Sequence, residues 1–164
     1  MKLEKKNLMI IQDTREQNPL IFPSAKVETG ILDTGDYSIK GWENQITIER
    51  KSLPDLLNSL GQDRERFFKE IIRLRGFEYS GLIIEAGLKE LYSGQWRSHI
   101  TPQSVIGSLQ SISVKHGINV FWAENRTLAA QWIEGILYHY LRSKLQEYEK
   151  LKPFLKDMDK NLNE

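Results

Sequence analysis

The sequence predicts an α/β fold with a central mixed sheet flanked by helices. Three observations carry this. Apolar runs of strand length occur at 8–12, 82–84 and 118–122. Residues 45–51 alternate with period two, and the stretches between these runs keep apolar residues at helical spacing behind recognisable caps. A chain of 164 residues suits one domain, which buries roughly 70% of the surface its unfolded state exposes and needs no metal or disulfide merely to fold.

The elements follow in order. Leu8 to Gln12 is a buried strand, and Asn18-Pro19 with Pro23 mark the loop after it. Val27 to Ile39 holds strand-like pieces broken by Gly30 and Gly35, and Gly41 to Asn44 is a turn. In 45–51, Ile46 and Ile48 share one face and Thr47 and Glu49 the other, which predicts a half-buried strand. Ser52 with Asp55 is a near capping box, and Pro54 falls in the first turn of a short helix reaching about Leu60. Asp63 is placed to cap the next helix, on which Phe67, Ile71 and Leu74 keep helical spacing until Gly76. Leu82 to Ile84 is a buried strand, Thr101-Pro102 opens a helix, and Ile118 to Trp122 is the last strand. Asn125 caps a long helix with a wide apolar stripe from Ala129 to Leu141. Pro153 is expected to break any continuation, leaving a charged tail over 146–164 that frays near its end.

Composition removes several function classes. The 23 Lys+Arg against 22 Asp+Glu exclude a polybasic arm, although residues 50–75 carry a local net charge of +3, a modest basic ridge for phosphate contacts. Cys is absent, which removes disulfide scaffolds, Cys-based zinc sites, iron–sulfur clusters and thiol nucleophiles, and fits a cytoplasmic location. No run of 18 apolar residues or signal peptide is present, so no membrane association is expected. His99, His116 and His139 are too scattered for a metal cluster, and no phosphate-binding Gly-rich motif or serine-hydrolase elbow occurs, so no nucleotide cofactor is expected. Trp42 and Trp96 are open either to core packing or to stacking on unpaired bases, whereas Trp122 in its apolar strand belongs to the core.

The chemistry-bearing residues are few. Asp13 ends the first strand, Asp36 follows Gly35, and Glu49 and Lys51 share one strand face while Arg50 points to the other. Asp36 and Glu49 are separated by a turn, so adjacent antiparallel strands bring them together. Two carboxylates suit a hard cation such as Mg²⁺ (or Mn²⁺), which takes one or two carboxylates plus substrate phosphate. Lys51 is placed to hold the attacking water and balance phosphoryl charge. Alone, Glu-x-Lys on a strand is commonplace and often just a solvated face.

The wider context is specific. Gly35-Asp36, a variable stretch, Glu49-Arg50-Lys51 and then Asp55 resemble the signature of the XPF-type nuclease family, which includes XPF and Hef. Asp13-Thr14-Arg15-Glu16 resembles its opening motif, and Asp63 to Leu74 its Arg-containing helix. The likeness covers about residues 7–141. It implies a restriction-endonuclease-like fold and a metal-dependent endonuclease acting on branched or single-strand/double-strand junction DNA in repair or recombination. It further implies Asp36, Glu49 and Asp13 at the metal, and Lys51 as the catalytic lysine. Asp13, Arg50, Asp55 and Arg15 match positions important for activity, and Arg64 and Arg66 are candidate DNA contacts. Arg50 is expected to pair with Asp55 or Asp13. Asp55 is equally readable as a cap partner, and Glu16 and Glu85 stay open between a supporting role at the site and the surface.

The chain departs from cellular members in lacking helix-hairpin-helix modules after the nuclease region of residues 1–145 and any preceding helicase region, so a stand-alone prokaryotic or viral form is expected. A homodimer through the last helix, or a protein partner, would then supply DNA affinity. Two alternatives remain: a non-catalytic DNA-binding or scaffold member, and a resolvase or restriction-type nuclease of the same superfamily.

Overall fold

In the computed structural model, which describes residues 3–94, 96 and 99–161, six strands form one sheet in the order β2-β1-β3-β4-β5-β6. They are β1 (Met9–Asp13), β2 (Lys26–Gly30), β3 (Tyr37–Ile39), β4 (Ile46–Ser52), β5 (Tyr79–Glu85) and β6 (Asn119–Trp122). The helices are α1 (Leu53–Leu60), α2 (Arg64–Leu74), α3 (Leu88–Ser93), α4 (Pro102–His116) and α5 (Arg126–Asn161). β3 runs antiparallel to β1 and β4, while β1–β2, β4–β5 and β5–β6 are parallel pairs. The sheet is therefore mixed, as expected.

Strand alternation sorts the core into two layers. Leu82 and Ile84 pack with α1, α2 and α4 residues such as Leu56, Phe67, Ile71 and Leu109 on one side. Ile83, between them, joins Ile46, Ile48, Ala129, Ile133 and Leu137 under α5 on the other. Period two thus assigns each residue to a layer.

β4 corrects the half-buried expectation, because Ile46, Thr47, Ile48 and Glu49 are all buried. It is an interior strand with helices on both faces, so its polar face looks into protein rather than water. Its end is well signalled. The Ser52 hydroxyl accepts the Asp55 amide at 3.3 Å, and Pro54 sits in the first turn of α1. The Thr101 hydroxyl caps α4 through the Ser104 amide at 3.2 Å, and Asn125 Oδ1 caps α5 through the Leu128 amide at 3.0 Å.

Two local expectations are corrected. Asp63 precedes α2 but its side chain makes no cap bond; it takes Asn58 Nδ2 at 2.7 Å and Arg66 Nη2 at 3.4 Å instead. α5 does not break at Pro153. It contains Pro153 and continues to Asn161, some 36 residues and about 54 Å. A proline costs a helix about 3 kcal/mol by losing one bond and crowding one carbonyl, and the flanking turns of α5 carry on across it.

The antiparallel placement of β3 sets the functional edge. The C-terminal end of β1, the start of β3 and the C-terminal end of β4 must coincide. The Asp13 amide accordingly donates to Asp36 O at 2.8 Å, and the Asp36 amide to Ile48 O at 2.9 Å. Gly35, just before β3, has φ +84°, and an added Cβ would lie 2.1 Å from Thr47 Oγ1, whose hydroxyl donates to Thr34 O at 2.7 Å. Gly35→Ala is expected to cost about 3 kcal/mol from strain plus steric overlap. Chemical denaturation checks this, and a loss under ~1 kcal/mol would contradict the strain argument.

Candidate active site

A pocket of about 510 Å³ opens at this edge. Asp13 reaches it from the end of β1, Asp36 from the position just before β3, Glu49 and Lys51 from β4, and Arg66 with Glu70 and Arg73 from α2. Arg15 lies on its wall as well.

Asp36 and Glu49 occupy neighbouring rungs. Asp36 Oδ2 accepts the Arg50 amide at 2.8 Å, and Glu49 Oε1 accepts Lys51 Nζ at 2.8 Å. Their second oxygens, Asp36 Oδ1 and Glu49 Oε2, receive no hydrogen bond from the described residues. Burial, reinforced by Asp36, pushes the Glu49 carboxyl up to about 8. Burial likewise pushes Asp36 up to about 6, against the Arg50 amide and Lys51, which pull it down. The cause is an excess of negative charge in a poorly hydrated place.

Lys51 is mostly covered, with Nζ 3.3 Å from Glu70 Oε2 as well as bonded to Glu49, and it lies 5.1 Å from the centroid of the Phe67 ring. Burial alone would lower its pKa, but the Glu49 and Glu70 carboxylates outweigh that and raise it. Lys51 is therefore an ammonium throughout the neutral range, a donor and not a base.

Asp13 is 1% exposed and fully engaged. Oδ1 accepts the Arg15 amide at 2.8 Å and Arg15 Nε at 2.6 Å; Oδ2 accepts the Leu32 amide at 2.7 Å and Arg15 Nη2 at 3.1 Å. Burial raises its pKa, yet these bonds prevail and hold it below the ordinary carboxylate value. All its lone pairs are spent, so in this arrangement Asp13 serves Arg15, and Asp36 and Glu49 are the pocket carboxylates that keep an oxygen open. Arg15 Nη2 also donates to Leu32 O at 2.6 Å, and the outer part of the side chain stays exposed at the pocket.

Arg50 points to the opposite side of the sheet from Lys51, as the alternation requires. It pairs with neither Asp55 nor Asp13, which corrects that expectation. Its partners are Glu16 at 3.4 Å, Glu85, and Asn18 O at 3.0 Å. Asp55 does not line the pocket; its carboxylate accepts the Ser52 hydroxyl at 2.5 Å. Arg64 stacks on Phe68 at 4.9 Å and is not on the pocket wall, whereas Arg66 is exposed and on it. Trp42 packs edge-on against Tyr140, Trp96 donates to Ile100 O at 3.3 Å, and Trp122 packs in the layer beneath α4.

Glu70 and Arg73 escaped the sequence reading. The signal was present, since they follow Arg66 by four and seven residues and so share its helix stripe.

Among the described residues no group of three or more His, Asp or Glu side chains forms a ready-made metal cage. Mg²⁺ does not require one, because it keeps several waters and takes one or two carboxylates. Two mutually repelling carboxylates, Glu49 buried and Asp36 half-buried, with an unengaged oxygen each fit such an ion, which would relieve the repulsion.

The ERCC4 domain profile matches residues 12–136. No curated protein sequence matches the chain. Among solved structures, XPF from Aeropyrum pernix matches with a TM-score of 0.64 and 23% identity, over 79% of this chain and 59% of that one. XPF from Aeropyrum pernix in complex with DNA matches with a TM-score of 0.64 and 24% identity, over 84% and 66%. The chain spans less than two thirds of the length of either. These likenesses, with the mixed six-stranded sheet, establish the restriction-endonuclease-like fold.

Proposed function

The chain belongs to the ERCC4 domain family, and from that premise we propose that it is a metal-dependent endonuclease hydrolysing phosphodiester bonds at branched or single-strand/double-strand junction DNA. The observation that carries this reading is the pairing of two strained carboxylates, Asp36 and Glu49, with the Lys51 ammonium at 2.8 Å from Glu49 in one pocket. A scaffold would have no use for two carboxylates held side by side where burial raises the pKa of both.

Asp36 and Glu49 would hold Mg²⁺ or Mn²⁺. Such an ion supplies polarisation of a phosphoryl oxygen and a water of lowered pKa. Lys51 Nζ donates a hydrogen bond to the water or to a non-bridging oxygen, and balances the charge that grows there. Arg15, oriented by Asp13, offers its Nη1 edge to phosphate, and Arg66 and Arg73 position the backbone from α2. Arg50 and Asp55 act at one remove, by anchoring the end of β4 and the first turn of α1.

Cleavage of end-labelled fork, flap and duplex DNA in Mg²⁺, Mn²⁺ and EDTA tests the proposal. Metal-dependent cutting that prefers forks or flaps supports it. Binding without cutting in either metal overturns it in favour of a non-catalytic member, and cutting confined to four-way junctions or to specific duplex sequences favours a resolvase or restriction-type enzyme.

A homodimer is part of the same reading. An apolar groove of about 520 Å³ runs along α5 between Tyr79, Leu128, Trp132, Ile136 and Tyr140, and Trp132 is 44% exposed. A second copy would cover it. Trp132→Glu is expected to weaken self-association by about 30-fold or more, as loss of a central aromatic anchor does. Sedimentation equilibrium measures this, and unchanged association removes the groove as the dimer surface. No helix among the described residues is long and apolar enough to cross a membrane.

A further inference from the structure

Arg126 is the first residue of α5, far in sequence from the strand motif. Its Nη2 donates to Asn18 O at 3.1 Å and Pro19 O at 2.8 Å. Arg50 Nη2 donates to the same Asn18 O at 3.0 Å. Glu85, at the end of β5, lies between the two guanidinium groups. Its Oε2 accepts Arg50 Nη1, and its Oε1 is 3.9 Å from Arg126 Nη1. Glu16 completes the arrangement, with Oε2 on Arg50 Nε and Oε1 accepting the Asn18 amide at 2.8 Å.

We propose that Arg126, acting with Glu85, is a positioning residue that locks the Glu16–Pro19 backbone to the end of β4 from the side of the sheet opposite the pocket. Two like-charged guanidinium groups share two acceptors, Glu85 and Asn18 O. Arg50 holds Asn18 O and Glu85 without help, whereas Pro19 O takes its hydrogen bond from Arg126. The segment they hold follows directly on Asp13 and Arg15, so its placement sets how the Arg15 guanidinium meets the pocket. Arg126 Nη1 is buried without a hydrogen bond and its ion pair to Glu85 is long, so this corner is the loosest of the clamp. Losing Arg126 leaves Arg50 and Glu16 in place, which loosens the segment without unfolding the domain.

The activity readout rests on the nuclease reading, but the exchange readout does not. The test uses the full chain with Arg126→Met, Arg126→Lys, Glu85→Gln and the Arg126→Met/Glu85→Gln double variant. Four quantities are read: single-turnover cleavage rate at saturating DNA, DNA Kd with Ca²⁺ in place of Mg²⁺, amide hydrogen exchange, and melting temperature. Arg126→Met is expected to slow cleavage about tenfold while Kd rises no more than about threefold, because Arg66 and Arg73 still reach the pocket, a split that lost folding does not produce. Exchange speeds up at Asn18 and Leu20, whose amides are bonded to Glu16 and to the Tyr37 hydroxyl, but not at Ile83 and Ile84. Arg126→Lys recovers part of the rate, and the double variant is no slower than the slower single one. Unchanged exchange at Asn18 and Leu20, or a rate that falls only in step with the folded fraction, overturns the proposal. If the native chain cuts no DNA, the nuclease reading fails, and exchange at those two amides alone still decides the clamp.

Discussion

Lys51→Ala is expected to lower the single-turnover cleavage rate by on the order of 10³-fold while DNA affinity changes only severalfold. Lys51 is nearly enclosed, and its ammonium persists because Glu49 at 2.8 Å and Glu70 at 3.3 Å outweigh burial. A lysine held protonated by these carboxylates accepts no proton from water. It donates, and a fixed donor in a poorly hydrated pocket is worth far more against charge developing in the transition state than against the ground state. Arg15, Arg66 and Arg73 also line the pocket, and in the proposed function they contact the DNA backbone, so affinity is expected to survive the substitution. Saturating enzyme isolates the chemical step, and fluorescence anisotropy reads binding beside it. The substitution also strips Glu49 and Glu70 of their shared cation, so a melting curve in excess Mg²⁺ confirms that the variant is folded. A rate within tenfold of native would remove Lys51 from the chemistry.

The sequence exposed most of what places the pocket, because the relevant signals are local. Period two at 45–51 puts Glu49 and Lys51 on one face, and the turn before it returns Asp36 to their side. Ser52, Thr101 and Asn125 announce helix starts with side chains that bond within three residues. What stayed hidden depends on elements distant in sequence. The partners of Arg50 come from the loop after β1, from β5 and, through Glu85, from α5. No spacing rule selects Glu16 and Glu85 over Asp13 and Asp55, and only the packing of three elements does. Asp13 shows the same limit. A carboxylate at a strand end reads equally as a ligand or as a clamp until its four hydrogen bonds to Arg15 and Leu32 are seen. α3 spans only six residues, too few for a periodic pattern, and α5 continues through Pro153 despite the proline's cost, which no local signal predicts.

The second large effect links protons, metal and stability. In the folded chain burial pushes the Glu49 carboxyl up to about 8 and the neighbouring Asp36 up to about 6, whereas unfolded carboxyls titrate near ~4. Below pH ~4 both states hold these protons and no penalty arises. As pH rises, the unfolded chain releases them first, so the folded state is progressively disfavoured until pH passes the folded values. In metal-free buffer the melting temperature should therefore fall between pH 5 and pH 8, by several degrees for a few kcal/mol in a domain of about this size. Lys51 stays charged across that window and adds no slope of its own. A divalent ion on Asp36 and Glu49 competes with the protons and removes the penalty. Millimolar Mg²⁺ should then raise the melting temperature at pH 8 and do little at pH 5. Glu49→Gln takes away the most perturbed of these protons and half of the ligand pair. Its metal-free profile should be flatter and higher at pH 8, with little response to Mg²⁺ at either pH. Calorimetry across pH, with and without Mg²⁺, measures all four combinations. Equal stabilisation of native and Glu49→Gln by Mg²⁺ would mean that the ion binds elsewhere, and a native profile that rises from pH 5 to pH 8 would mean that the two carboxyls are already neutralised within the protein.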